Sequence, residues 1–106
     1  MRQNEIIDII ESTGIPVYYD HAPIGTELPF LVAHITQPDN FSADNHVYVE
    51  NWHVRADLYT ASKDVVLEQQ VKDALNDNDI FWTMTEQFID SDECYEVEFE
   101  FDELGD

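Results

Sequence analysis

The sequence is poor in basic residues. Of its 106 residues, 4 are Lys or Arg and 24 are Asp or Glu, which gives a formal net charge of −20 at pH 7. Proteins bind nucleic acids mainly by neutralising phosphates with Lys and Arg, so this deficit argues against sequence-specific nucleic-acid binding and against docking on anionic lipid. The excess of carboxylates is compatible with a basic protein partner, with mimicry of DNA, or with a surface past which DNA slides without adhering.

Cysteine, glycine and long apolar runs are also scarce. The single cysteine, Cys94, excludes an intramolecular disulfide and a zinc site made of several cysteines. With only 3 glycines the chain has no Gly-rich phosphate loop, and it has no G-x-S-x-G nucleophile motif. No segment approaches the ~20 apolar residues of a membrane span, and the acidic start MRQNEIIDII is unlike a signal peptide. We therefore expect a cytoplasmic protein without a membrane segment.

The apolar content is sufficient for one folded domain. The chain is 43% hydrophobic and 12% aromatic, which argues against disorder despite the charge. A chain of this length buries roughly two thirds of its unfolded surface, so we expect a single domain over residues 1–106.

The first half of the chain predicts one helix and three strands. Residues 4–13 place isoleucines on one helical face, with Gly14 available as a left-handed C-cap. Residues 15–19 and 29–37 are rich in β-branched and aromatic residues and predict strands. The segment PDNFSADN, residues 38–45, predicts a turn or loop. The next residues, His46 to Tyr59, alternate as one long strand with Trp52, Val54, Ala56 and Leu58 on one face and His53, Arg55 and Asp57 on the other.

The second half predicts a helix followed by two strands. Thr60 or Ser62 is the expected N-cap, with Asp64 in the first turn, and the cluster NDND at 76–79 ends the helix. Two strands follow, joined by a turn at Asp90 to Glu93; in the second, Tyr95, Val97, Phe99 and Phe101 alternate with Glu96, Glu98, Glu100 and Asp102. The order α-β-β-β-α-β-β predicts an α+β fold with two helices on one face of a largely antiparallel sheet.

The histidines and the Asp20–His21 pair are candidates for metal or acid/base chemistry. None of His21, His34, His46 and His53 has the helical spacing of paired ligands, although His34 and His53 would meet if their strands were neighbours in a suitable register. Asp20 and His21 lie in YYDHAPIGTELPF, residues 18–30, where Asp, Pro and Gly also favour a chain reversal. We expect a turn there, with no catalytic residue, metal or cofactor.

Two further features concern surfaces. The carboxylate row, defined as Glu96, Glu98, Glu100 and Asp102, stands along a strand instead of in a calcium loop, so it is either a solvated face or a dedicated anionic surface. Arg55 is the one basic residue within a predicted strand, and it serves either a cross-strand ion pair or a contact between subunits.

Several local strings resemble the small tail-completion, or tail terminator, proteins of long-tailed phages and prophages of Gram-positive bacteria. They are GIPVYYDHAPIGTELPFLVAHI, PDNFSADNHVYVENWHVRADLYT, KDVVLEQQVKDAL and CYEVEFEFDE, which together cover nearly the whole chain.

The resemblance implies a structural virion protein without enzymatic activity. It implies a hexameric ring that caps the tail tube and joins it to the head, with the tail tube protein and the head-connector protein as partners and the virion tail as the location. Within this picture we expect the loop residues Asp39, Asn40, Phe41 and Ser42, together with Arg55, to contact another subunit, and the carboxylate row to face the channel. The isolated protein is then either a hexamer or a monomer that assembles on the tail.

Two other functions are compatible with the sequence. An acidic DNA-mimic inhibitor of a nucleic-acid-binding protein is supported by the net charge and the carboxylate row. A small hydrolase using Asp20 and His21 has weaker support, because no nucleophile motif accompanies the pair.

Overall fold

A computed structural model describes residues 2–36, 40–43, 46–91 and 93–104, and for residues 40–43, 46–51 and 104 we describe the backbone alone. The helices are α1 (Gln3–Glu11) and α2 (Val65–Asp77). The strands are β1 (Val17–Tyr19), β2 (Phe30–Thr36), β3 (Asn40–Ala43), β4 (His46–Thr60), β5 (Thr83–Ile89) and β6 (Cys94–Leu104).

The main sheet has the strand order β1-β2-β4-β6-β5. The pair β1 and β2 is parallel, whereas β2 with β4, β4 with β6 and β5 with β6 are antiparallel. The predicted α+β class and element order are confirmed, with one short strand, β3, in addition.

Both helices pack on the same face of the sheet. Their buried residues, Ile6 and Ile10 of α1 and Val71 and Leu75 of α2, join one core with the alternating apolar residues of β2, β4 and β6. Leu31, Leu58 and Val97 lie side by side in this core, as do Ala33, Ala56 and Phe99. A strand places every second side chain on the same face, so the other half of each strand's residues points away from the helices.

Helix α2 begins later than the sequence pattern suggests. Asp64 is its N-cap, and the Asp64 carboxylate accepts a hydrogen bond of 3.1 Å from the Leu67 backbone nitrogen. Thr60 is instead the last residue of β4, paired with Tyr95, and its hydroxyl donates to the Ser62 carbonyl. The expectation of Thr60 or Ser62 as N-cap is therefore wrong, because pairing with β6 keeps the chain extended up to Thr60.

The segment predicted as a loop at 38–45 contains β3. Asn40, Phe41 and Ser42 lie on this strand, which pairs antiparallel with the first part of β4, and Asp39 lies outside the described residues. Strand β4 is 15 residues long, and its first residues extend past the main sheet. Backbone groups that extend beyond a sheet need partners, and β3 supplies them.

The connection between β1 and β2 crosses the face without helices. Parallel neighbours require the chain to return to the starting end of the sheet, and residues 20–29 make this return. The chain turns at Asp20, whose φ is 72°. The expected chain reversal in this stretch is confirmed.

Candidate functional site

The sheet face opposite the helices, which we call the open face, carries most of the polar strand residues. Register places these residues on it: Tyr18, Phe30, Val32, His34, His53, Arg55, Asp57, Tyr59, Thr85, Gln87 and the carboxylate row Glu96, Glu98, Glu100 and Asp102. The face predicted from the alternation of β4 and β6 is thus a single surface built by all five strands of the main sheet.

One end of the open face is aromatic. Phe30 is paired with Tyr59 across β2 and β4, and their rings stack with centroids 5.1 Å apart. Tyr18 meets Phe30 edge-on at 6.0 Å. These rings give the face an apolar patch beside its charged part.

Asp57 occupies the centre of the open face and is 1% exposed. Arg55 Nε donates to both of its carboxylate oxygens, at 3.1 Å and 3.2 Å, and His34 Nε2 lies 3.6 Å from Oδ2. Burial raises the pKa of Asp57 to about 6, against the lowering effect of Arg55 and with the further raising effect of Glu96 and Glu98. Burial, followed by the charge of Arg55, lowers the pKa of His34.

Asp57 is also part of a carboxylate trio with Glu96 and Glu98. One oxygen from each lies within 4.8 Å of the others, because Asp57 is paired with Glu98 across β4 and β6. Gln87 donates to Glu96 at 2.6 Å. A hard divalent cation binds oxygen sets of this kind, but both oxygens of Asp57 already accept hydrogen bonds from Arg55.

Exposure increases along the carboxylate row. Glu96 is buried and Glu98 half-buried, whereas the side chain of Asp102 is 65% exposed. His53 lies between the outer two, with Nδ1 2.9 Å from Asp102 and Nε2 3.6 Å from Glu100. Only Asp102 is well exposed, Glu98 and Glu100 are half-buried, and Glu96 is buried beside Gln87 and Tyr59, so the interpretation as a solvated row fails for Glu96.

Arg55 and the histidines have different partners from those that the sequence suggested. The ion pair of Arg55 with Asp57 lies within β4, two residues apart on the same face, and does not cross strands. His34 and His53 share the open face, but each is next to a different carboxylate. Register pairs His34 with Arg55 and His53 with Thr36, so the two histidines are not directly opposite each other, and the side chain of His46 lies outside the described residues.

A cavity of about 690 Å³ lies between the 20–29 connection and the open face. Its apolar lining includes Pro23, Ile24, Leu28, Phe30 and Val32, and its polar end is formed by His34, Arg55 and Asp57. Asp20 and His21 stand at the rim, 3.4 Å apart, with side chains 87% and 82% exposed. Such exposure leaves both groups in water, so the pair lacks the enclosed setting in which acid/base residues are activated.

Sequence reasoning missed the carboxylate trio and the cavity. Both depend on which strands are neighbours and in which register, and a single sequence does not specify this. The alternation of β4 and β6 contained a partial signal, since Asp57 and Glu98 each lie on the polar side of their strand.

No protein-family model matches this chain, and a search of curated proteins finds no match. Among the described residues, no helix has the length and apolar character needed to span a membrane.

Proposed function

We propose that the protein is a structural component of a phage or prophage tail, a tail-completion or tail terminator protein that assembles as a ring at the end of the tail tube. The observation that carries this proposal is the one-sided sheet. The two helices cover one face, whereas the open face carries four carboxylates in a row on β6. A ring lined by such faces lets DNA pass without adhering, since like charges repel.

The β3–β4 ribbon supports an assembly role. Strand β4 runs for 15 residues, and at its start the backbone pairs with β3 beyond the five-stranded sheet. An isolated two-stranded ribbon is marginally stable in water and gains stability when it packs on another surface. In the proposed ring that surface belongs to a neighbouring subunit, with Asn40, Phe41 and Ser42 in the contact, or to the tail tube protein.

The proposed role requires neither catalysis nor a cofactor. An acidic DNA mimic is the alternative, and it needs carboxylates presented evenly along a surface, like phosphates. The burial of Glu96 and the half-burial of Glu98 and Glu100 count against the mimic, because only Asp102 at the end of the row is well exposed. Repulsion of DNA by a channel wall depends on the net negative charge and does not require such even spacing. A hydrolase that uses Asp20 and His21 is disfavoured by the exposure of both side chains.

Light scattering coupled to size exclusion, followed by electron microscopy, tests the proposal. We expect the protein, alone or co-expressed with a tail tube protein, to form rings of six subunits. Phe41→Ala should reduce ring formation with little change in the unfolding temperature. Phe81→Ala serves as the matched control, because Phe81 is an aromatic residue 87% exposed outside the ribbon.

Two results would contradict the proposal. The first is a monomer under all conditions, with and without the tube protein. The second is inhibition of a nuclease or repressor by that monomer, which would establish the DNA mimic instead. Equal loss of rings in Phe41→Ala and Phe81→Ala would contradict the specific role of the ribbon.

A further inference from the structure

The open face has a strong charge imbalance beside an apolar cavity. It and the adjoining rim carry six carboxylates: Asp20, Asp57, Glu96, Glu98, Glu100 and Asp102. Asp57 and Glu96 are buried, and the other four reach solvent. Of the chain's four Lys and Arg residues, only Arg55 lies on this face. Lys63 is bound to Glu68 and Glu86, Lys72 lies over the Trp82 ring, and Arg2 precedes α1.

The apolar part of the surface is open to solvent. Ile24 is fully exposed at the mouth of the cavity, and Leu28 is 38% exposed. Apolar side chains gathered around a cavity and bordered by charged groups mark a site of protein interaction. The cavity and the carboxylate row are two adjoining features of this face, and they meet at Asp57 on β4.

We propose that the open face is the docking site of an extended segment from another protein, with an apolar or aromatic side chain in the cavity and a Lys or Arg two positions along the segment. The basic side chain pairs with Glu98 and Glu100. The site is inferred from these two features alone and does not rest on ring formation.

Strand geometry sets the spacing between the two side chains. Neighbouring strands lie about 4.8 Å apart, so the carboxylates of β6 are one to two spacings, about 5 to 10 Å, from the cavity floor on β4 and β2. In an extended segment, side chains two residues apart share a face and are separated by about 6.7 Å. An apolar residue followed at that distance by a basic one therefore matches both parts of the site.

Charge complementarity favours a basic segment over the other possible occupants. A second copy of this chain would bring a net charge of −20 to a face that already carries a carboxylate excess. A nucleic acid would bring phosphates to the same face. A Lys or Arg side chain gains from both parts of the surface, because its aliphatic stem packs on apolar groups while its charged head reaches the carboxylates.

The test is a nuclear magnetic resonance titration of the full-length protein with the peptide Gly-Phe-Ser-Lys-Ser-Lys-Gly at low salt. We expect shifts confined to residues 20–34, 53–59 and 94–102. Replacing the phenylalanine of the peptide by serine, or its lysines by glutamates, should weaken binding about tenfold or more, as loss of an anchor does. Added salt should weaken binding of the original peptide.

Matched pairs of variants locate the site. Glu98→Gln with Glu100→Gln, and separately Ile24→Ser with Leu28→Ser, should each weaken binding about tenfold. The first control, Glu5→Gln with Asp8→Asn, removes the same charge from α1 on the opposite face. The second control, Val65→Ser with Val66→Ser, removes exposed apolar groups from α2. Both controls should change the affinity less than about twofold.

Several outcomes would overturn the proposal. The first is that the peptide does not bind at low salt. The second is that the site variants and their controls lose peptide affinity equally. The third is that the resonance shifts spread over the helices. Shifts at the open face that depend on protein concentration without peptide would assign the face to a second copy instead.

Discussion

At the residue scale, the least usual feature is a buried carboxylate, Asp57, whose neighbours carry charges of both signs. Asp57 is held by Arg55 on its own strand, faces His34 from β2, and faces Glu96 and Glu98 from β6. Burial and the two glutamates favour the protonated form, whereas Arg55 favours the charged form. The balance leaves the pKa of Asp57 at about 6, close to neutral pH.

We predict that Asp57 makes the protein more stable as the pH falls from 7 to 5. Its pKa is about 6 in the folded state and 3.8 as the ordinary value, so the folded state binds more protons between these limits. The free energy of unfolding therefore rises on acidification and falls as the pH increases through 6. The full effect is about 3 kcal/mol, and about half of it is reached by pH 5.

Urea unfolding of the wild type and Asp57→Asn across this pH range measures the effect. The asparagine variant should show a flatter dependence, because it has no proton to gain at this position. Asp73→Asn on α2 is the control, since Asp73 is exposed and should leave the wild-type dependence unchanged. Equal curves for the wild type and Asp57→Asn would show that other groups control the response.

At the element scale, helix α2 is positioned by its first residues. Asp64 caps the helix through the Leu67 nitrogen, and its negative charge lies at the positive end of the helix dipole. Just before it, Lys63 Nζ lies 2.7 Å from Glu68 Oε1 and also bonds Glu86 of β5. The start of α2 is thereby tied to the edge strand of the sheet.

We predict that Asp64→Ala lowers the free energy of unfolding by about 1 kcal/mol, the usual cost of losing an N-cap. Ser62→Ala should change it by less than about 0.5 kcal/mol, because the Ser62 hydroxyl is not the cap. Thermal or urea unfolding of the two variants provides the comparison. An equal or larger effect of Ser62→Ala would place the cap where the sequence pattern had suggested.

We predict a larger cost for Lys63→Met. Glu68 is 3% exposed, and removal of Lys63 would leave its charge buried without this partner. A charge left in that state costs about 2 kcal/mol or more. The double variant Lys63→Met with Glu68→Met should recover most of the loss, since neither charge remains.

Lys72→Met is the control for Lys63→Met. Lys72 lies 5.9 Å from the Trp82 ring centroid, a contact worth about 1 kcal/mol or less. No recovery in the double variant of Lys63 and Glu68 would indicate that Lys63 acts through its packing on the Tyr95 ring, 5.5 Å away, instead of through the ion pair.

At the scale of the whole molecule, charge and assembly oppose each other. Each chain carries −20 and measures 50 × 28 × 20 Å, so a ring of six would bring −120 formal charges into close range. The Debye length is about 30 Å at 0.01 M salt and about 3 Å at 1 M. Charges therefore interact across a whole subunit at low salt and only between contacting groups at high salt.

We predict that the isolated protein is mainly monomeric at low salt and forms the proposed rings as salt is added. Light scattering across a salt series measures this, with a second series near pH 5, where partial neutralisation should lower the salt required. If the row faces the channel, the double variant Glu100→Gln with Asp102→Asn should also lower the salt concentration required for ring formation. The control variant Glu5→Gln with Asp8→Asn should lower that concentration less. Hexamers that are stable at low salt and indifferent to added salt would show that apolar contacts dominate.

The sequence alone predicts elements with a strong period and a clear end. Strand β6 alternates apolar and acidic residues from Tyr95 to Asp102, and helix α2 repeats apolar residues at helical spacing before the NDND cluster, so both are recognisable from local pattern. The α+β class, the element order and the two faces of β4 follow from the same patterns. The start of α2 could not be predicted from these patterns, because pairing of Thr60 with Tyr95 overrides the capping preference of Thr60 and Ser62.

Neighbour relations between strands were decided only by the tertiary structure. Strand β3 exists because β4 extends past the main sheet, and its turn-forming composition conceals this. The carboxylate trio exists because Asp57 is paired with Glu98, and a shift of one residue would place them on opposite faces. The local sequence determines which side chains share a face of one strand, whereas long-range packing determines which strands those side chains meet, and in this protein the candidate site depends on the second.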